Sequence, residues 1–161
     1  MFMKMTPAQR LPMRCRHRGA SLLEALIALL IFSVGLLGLL GLQANALGAS
    51  RDAQYRAEAA VLAHEIIGTM WTDRANLADY AHYANGGGTC TPIGSPTSNA
   101  NAVRWMNQFT TAGSAKFLPG ATSAAQRIVV EADRTVRVTL CWRGPQDASW
   151  HNYTAVARIP T

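Results

Sequence analysis

Glu24 is the residue whose placement most invites a chemical explanation. It stands at the head of "ASLLEALIALLIFSVGLLGLLGLQ", and residues 25–42 behind it carry no charge at all. A carboxylate at membrane depth is costly and marks a functional position. Its chemistry there is charge pairing: an uncompensated buried charge costs several kcal/mol more than a paired one, so a cation must meet it. The local alternative is a capping box, in which Ser21 caps the helix and Glu24 reaches back three residues to it.

The other residues that could do chemistry are scattered. His64 and Glu65 begin a zinc-peptidase-like pair, but position 68, where the second histidine would stand, is Gly68. His64, His82 and His151 are therefore expected as surface polar residues. Cys15, Cys90 and Cys141 have no CxxC or paired-histidine spacing around them, so no metal site is expected. No GxSxG or phosphate loop occurs, and no catalytic residues and no cofactor are expected. Asn152 opens the glycosylation-type triplet "NYT", which reads better as part of a strand. Gly35, Gly38 and Gly41 recur every third residue on roughly one helical face. Either they let a second helix approach closely, or they are glycines that a membrane helix tolerates. A dinucleotide loop is excluded, because no strand precedes them and leucines fill the gaps.

These residues need elements to position them. Residues 25–42 would make a helix about 27 Å long at 1.5 Å per residue, which matches a bilayer core. Lys4, Arg10, Arg14, Arg16 and Arg18 precede this run without one acid, which sets the N-terminus on the cytoplasmic side and the rest across the membrane. A cleaved secretory signal ending near Ala44 or Ala46 is the competing reading of the same run. The net charge of +6 is almost wholly those five residues, since the remaining ten basic and nine acidic side chains nearly cancel. No nucleic-acid footprint is left.

After Leu42 the pattern turns amphipathic. Tyr55, Ala59, Leu62, Ile66 and Met70 share one helical face, and no proline interrupts residues 20–91, which predicts one helix from about Ala20 to about Leu77. "NGGGTCTPIGSPTSNAN" at residues 85–101 is a loop. "AVRWMNQFTTA" reads as a short helix capped by Asn101, with Val103, Met106 and Phe109 on its inner face. "LPGA" turns the chain. "RIVVEA", "TVRVTLCW" and "WHNYTAVARI" follow as an antiparallel meander, the second alternating Val136, Val138, Leu140 and Trp142 against Arg137, Thr139 and Cys141. The fold class is α+β.

A basic leader ending in Gly19, then a small residue, an apolar triplet, Glu24 and an unbroken apolar helix resembles the class III signal of type IV prepilins and type II secretion pseudopilins. "SVGLLGLLGLQ", "LAHEIIGTMWTDRANLADY", "RWMNQF" before "LPGA", and "VRVTLCW" are similar to PilV-type minor pilins. Two features depart from the family: Ala20 stands where phenylalanine is usual, and the mid-helix proline of many major pilins is absent.

The resemblance implies a type IV pilin-like fold, a long N-terminal helix packed on a small antiparallel sheet of three to four strands. It implies a leader at residues 1–19 that a prepilin peptidase removes between Gly19 and Ala20, with N-methylation of Ala20. It divides the rest into an apolar transmembrane and assembly half at residues 20–44, an amphipathic half at 45–79 and a periplasmic domain at 80–161. Glu24 would pair with the new amine of a neighbouring subunit, and Gly35, Gly38 and Gly41 would pack against neighbouring helices. The implied function is that of a non-enzymatic minor pilin, held in the inner membrane and then built into a type IV pilus with other minor pilins and the major pilin. A minor pseudopilin of a type II secretion system is the alternative, and a signal-anchored periplasmic binding protein or enzyme the second. With Cys15 removed in the leader, Cys90 and Cys141 remain on the oxidising side and are expected to form a disulfide, two free buried thiols being the alternative. Closing a loop of that size should stabilise by roughly 4 kcal/mol in the chain-entropy model.

Overall fold

The computed structural model describes residues 20–160, so Gly19, Cys15 and the basic residues of the leader lie outside the described residues. The first element, α1, is Ala20–Thr72, 53 residues long. Proline is absent and leucine, alanine and isoleucine, all able to sit in a helix, dominate its first half. By its contacts the chain divides into two units at Leu47 and Gly48. In the first unit every side chain from Ser21 onward is exposed, Leu22, Leu37 and Leu42 the most so.

The second unit holds the core. Ala59, Leu62, Ile66 and Met70, four of the five residues of the predicted stripe, are 0–1% exposed, and Tyr55 packs half-buried at its edge. Ala63 and Ile67 widen the stripe to the breadth that a helix lying on a sheet requires.

The α-helix stops at Thr72, short of Leu77, and Arg74–Tyr80 continues as 3-10 turns. Side chains supply the stop. The Thr72 hydroxyl donates to the Thr69 carbonyl at 2.8 Å and Arg74 Nε to the Trp71 carbonyl at 3.0 Å, which satisfies terminal carbonyls that a further helical turn would otherwise take. Asp73 then gathers the turn, accepting from Asn76 at 2.7 Å and from the Tyr80 hydroxyl at 2.9 Å.

The glycine-rich loop contains a two-stranded ribbon, β1 at Gly87–Gly88 and β2 at Thr91–Pro92. Gly87 has φ +87°, and a Cβ there would lie 2.5 Å from the Thr91 carbonyl oxygen, so only glycine closes this ribbon. The second helix, α2, is Ala100–Thr110. Its cap is Asn99, whose side chain accepts from the Asn101 and Ala102 N–H groups at 3.0 and 3.1 Å, so Asn101 lies inside the helix. The buried face is Ala102, Trp105, Met106 and Phe109, while Val103 is 38% exposed. Trp105, not Val103, faces α1, its indole N–H donating to the Leu62 carbonyl at 2.9 Å.

A 3-10 turn at Ser123–Ala125 leads into the sheet: β3 at Arg127–Val130, β4 at Thr135–Trp142 and β5 at His151–Arg158, antiparallel in the order β3-β4-β5. Val136, Val138, Leu140 and Trp142 are all buried, but Thr139 and Cys141 on the opposite face are buried too, so the expected one-face burial holds only up to Val138. Asp133 sets the β3–β4 turn by accepting from the Thr135 N–H and hydroxyl, with Arg134 at φ +65°. The architecture is α+β: the amphipathic half of a long N-terminal helix covers a small antiparallel sheet, with α2 completing the core.

Candidate functional site

Among the described residues, the first half of α1 has nothing to bury against. Its leucines, isoleucines and Phe32 are exposed all round, an apolar surface that water does not tolerate at this extent. Among the described residues it is the single helix long and apolar enough to cross a membrane. Glu24 is exposed on it, set in a shallow apolar face made by Leu23, Ile27, Ala28 and Ile31. No described side chain meets its carboxylate. Ala20 and Ser21 are both already helical, so Ser21 is not the cap and the capping-box alternative fails. A Cβ built on Gly35, Gly38 or Gly41 would meet nothing within 4 Å, so the space beside these glycines is open to another helix.

In the second unit Cys90 and Cys141 are joined, with Cα atoms 5.7 Å apart and a sequence separation of 51. The bridge ties the glycine-rich loop to the end of β4. Gln126 holds the same place from inside: its Oε1 accepts from the Cys141 N–H at 2.8 Å and its Nε2 donates to the Cys141 carbonyl at 3.1 Å. Nothing in the local sequence marks this glutamine, which stands alone before a strand.

His64 is exposed, its ring against the Ala60 carbonyl of its own helix, and His151 is half-buried. His82 corrects the expectation of a surface residue: it is 0% exposed. Its main chain bridges Ile128, its Nδ1 accepts from the Thr97 N–H at 3.0 Å, and its Nε2 faces the Ser123 carbonyl at 2.9 Å. Because Nδ1 is an acceptor, the proton sits on Nε2 and the ring is neutral. Burial pushes its pKa below the usual histidine value, against a smaller opposing pull from the Ser123 carbonyl. Glu65 takes Lys116 Nζ at 2.6 Å and Gln108 at 3.2 Å, and these hydrogen bonds, Lys116 first, hold its carboxyl below the usual range. Both are fittings of the fold, not a reaction centre.

Residues 14–40 match the family described as the prokaryotic N-terminal methylation motif. The comparisons with curated proteins and with solved structures return no match. The motif implies processing by a prepilin peptidase and assembly with pilus components, and it encloses Gly19, Ala20, Glu24, Gly35 and Gly38. With the apolar first half of α1 it suggests membrane anchoring and supports a type IV pilin-like or pseudopilin protein.

Proposed function

We propose that the chain is a PilV-like minor pilin, a non-enzymatic subunit that is stored in the inner membrane and incorporated into a type IV pilus. The observation that carries this reading is the methylation motif at residues 14–40 running directly into a helix whose first half is wholly exposed and apolar. Such a helix has two habitats, hydrocarbon before assembly and a bundle of like helices after it. On this reading residues 1–19 are the leader, cut after Gly19 with methylation of Ala20. Residues 20–44 are the membrane and fibre-core segment, 45–79 the amphipathic half of the helical region, and 80–161 the periplasmic domain. The partners are the prepilin peptidase, the other minor pilins and the major pilin. The Cys90–Cys141 bridge fits an oxidising compartment.

Two measurements test it. Co-expression with a prepilin peptidase should give a chain whose mass begins at Ala20 and carries one methyl group, and Gly19→Val should abolish the cut. Sheared surface fibres from a strain with pili should contain the mature chain. Cleavage without recovery in pili, together with a secretion defect on deletion, would instead assign a minor pseudopilin. An uncleaved or differently cut chain would overturn the prepilin reading.

A further inference from the structure

The three-stranded sheet has two edges, and they differ. On β3, Ile128 exchanges both main-chain hydrogen bonds with His82, at 2.9 and 3.0 Å, which occupies that edge. β5 has β4 on one side and no strand on the other. The Ile159 N–H donates to the Arg134 carbonyl at 3.1 Å, so by alternation Ala157, Ala155 and Tyr153 also turn their N–H and C=O groups to β4. Asn152, Thr154, Val156 and Arg158 turn theirs to the open side, where no group among the described residues takes them. Such an edge is a template for another strand, and folded proteins blunt it with proline, lysine or a bulge. β5 has none of these: its register with β4 runs unbroken from His151 to Arg158, and Pro160 comes only after the strand. All four outward-turned residues are exposed, Val156 to 52%. The inner face of this edge is unfinished as well, since Tyr153 and Ala157 pack on the core but are only partly covered.

We propose that the free edge of β5 takes one extended segment of another polypeptide, added antiparallel as a fourth strand, with apolar residues on its inner face and an acid opposite Arg158. The edge itself specifies this chemistry. A row of unpaired N–H and C=O groups at strand spacing is satisfied in full only by another extended backbone. Inward side chains of the added strand would lie beside Tyr153, Ala155 and Ala157 and close the partly covered rim. Arg158 is the single formal charge among the outward-turned residues. Asp133 feels that charge, but Arg158 makes no ion pair among the described residues, so an acid fits across from it. A second copy is the wrong occupant on the membrane-anchored reading. Asp52 and Arg56 share a cleft with His151 at the start of β5, while Arg134, bonded to Ile159 just past its end, donates to the Arg74 carbonyl just past α1, so α1 and β5 run the same way. Antiparallel pairing of two β5 strands would point the two α1 helices in opposite directions, whereas helices rooted alike in one membrane run together. The occupied β3 edge denies a copy the other route.

The test uses the full chain in detergent micelles and a fluorescent probe heptapeptide, glutamate followed by alternating valine and threonine. Anisotropy should show saturable binding of one peptide per chain. N-methylation of the threonines, whose N–H groups face β5 in this pairing, should weaken it by about tenfold or more, while N-methylation of the valines, whose N–H groups face away, should be tolerated. Moving the glutamate to the other end should weaken binding by about threefold. Val156→Pro removes an N–H that β4 does not use, so the sheet and the Cys90–Cys141 bridge should persist while binding falls by about tenfold or more. Should that variant unfold, the two N-methylated peptides decide alone. The peptide result stands whether or not the chain is cleaved after Gly19. No saturable binding, an equal effect of both N-methylated peptides, or full binding by a folded Val156→Pro chain would overturn the site. Dimerisation that Val156→Pro abolishes would give the edge to a second copy and overturn the choice of occupant.

Discussion

The indole N–H of Trp105 donates to the main-chain carbonyl of Leu62 at 2.9 Å, joining α2 to the amphipathic half of α1 across 43 residues of chain. Trp105 is 3% exposed and packs edge-to-face on Phe109 at 5.0 Å, so this bond is made in a dry interior where an unpaired N–H would be expensive. Trp105→Phe removes the donor without orphaning an acceptor, because a helical carbonyl keeps its own helix bond. The lost bond and the space left by the smaller ring should cost about 1–3 kcal/mol. Thermal unfolding followed by near-ultraviolet circular dichroism measures this as a lowered midpoint; an unchanged midpoint would show that the contact does not form.

His82 makes stability depend on pH. Its folded pKa lies below the usual value of 6.5, so the unfolded chain binds the proton more readily. The contribution is complete above about pH 6.5 and is lost as pH falls through the lowered folded value. Protonation would also turn Nδ1 from acceptor into donor, facing the Thr97 N–H it now accepts from. Glu65 acts in the same direction only below its usual 4.5, so the two windows separate. Unfolding free energy should therefore drop as pH falls from about 6.5 toward the lowered folded value. His82→Gln, which cannot titrate, should flatten the slope in that interval, and an equal slope in both proteins would remove His82 as its source.

The parts of the fold that were legible in the sequence are those fixed by local period. Ala59, Leu62, Ile66 and Met70 lie one helical turn apart and are buried because a helix has one inward face, and Val136 and Val138 are buried on either side of exposed Arg137 because a strand alternates, whereas Thr139 and Cys141 are buried by neighbours the alternation does not mark. What depends on distant chain was not legible. His82 is buried by a main-chain bridge to Ile128 and by polar groups of Thr97 and Ser123, none of which a local pattern marks. Asn99 and Asn101 are equal as caps by type, and the choice is made by the path of the preceding loop. Asp147 and His151 pair across the β4–β5 connection through the Gly144 turn, a contact made by the path of that connection. The signal around Gly19 and Glu24 was legible for the opposite reason: its parts are contiguous.

The Cys90–Cys141 bridge closes a loop of 51 residues. In the chain-entropy model such a closure stabilises by about 4 kcal/mol, a large share of the margin of a small domain. Unreduced protein should be about 2 Da lighter than reduced protein, since two thiol hydrogens leave when the sulfurs join. Cys90→Ala with Cys141→Ala should lower the unfolding midpoint in denaturant without changing the sheet. Because Gln126 clamps the Cys141 main chain independently, β4 should keep its position in the double variant, visible as unchanged far-ultraviolet dichroism. Equal masses would remove the bridge, and collapse of the sheet signal would show that Gln126 does not suffice.

Glu24 sits among Leu23, Ile27, Ala28 and Ile31 on a helix face that buries against nothing among the described residues. Ser21 is helical, so the carboxylate is not explained by capping. In hydrocarbon a carboxylate is costly, and replacement by leucine should make membrane insertion easier, not harder. A group kept at that cost must return it elsewhere. Cleavage after Gly19 would create an ammonium at Ala20, close to Glu24 in depth, and a neighbouring subunit's helix packed alongside would offer that cation to the carboxylate. Low-dielectric attraction is strong over a few ångströms and falls with separation, so the pair would select the axial stagger between subunits. Glu24→Leu should thus leave insertion and cleavage intact while reducing the chain recovered in sheared fibres by roughly tenfold or more, as an unpaired charge costing more than 1.4 kcal/mol requires. Glu24→Asp, which keeps the charge on a shorter arm, should recover part of the loss. Full incorporation of Glu24→Leu would detach Glu24 from assembly, and failure of cleavage in the same variant would assign it to the peptidase instead.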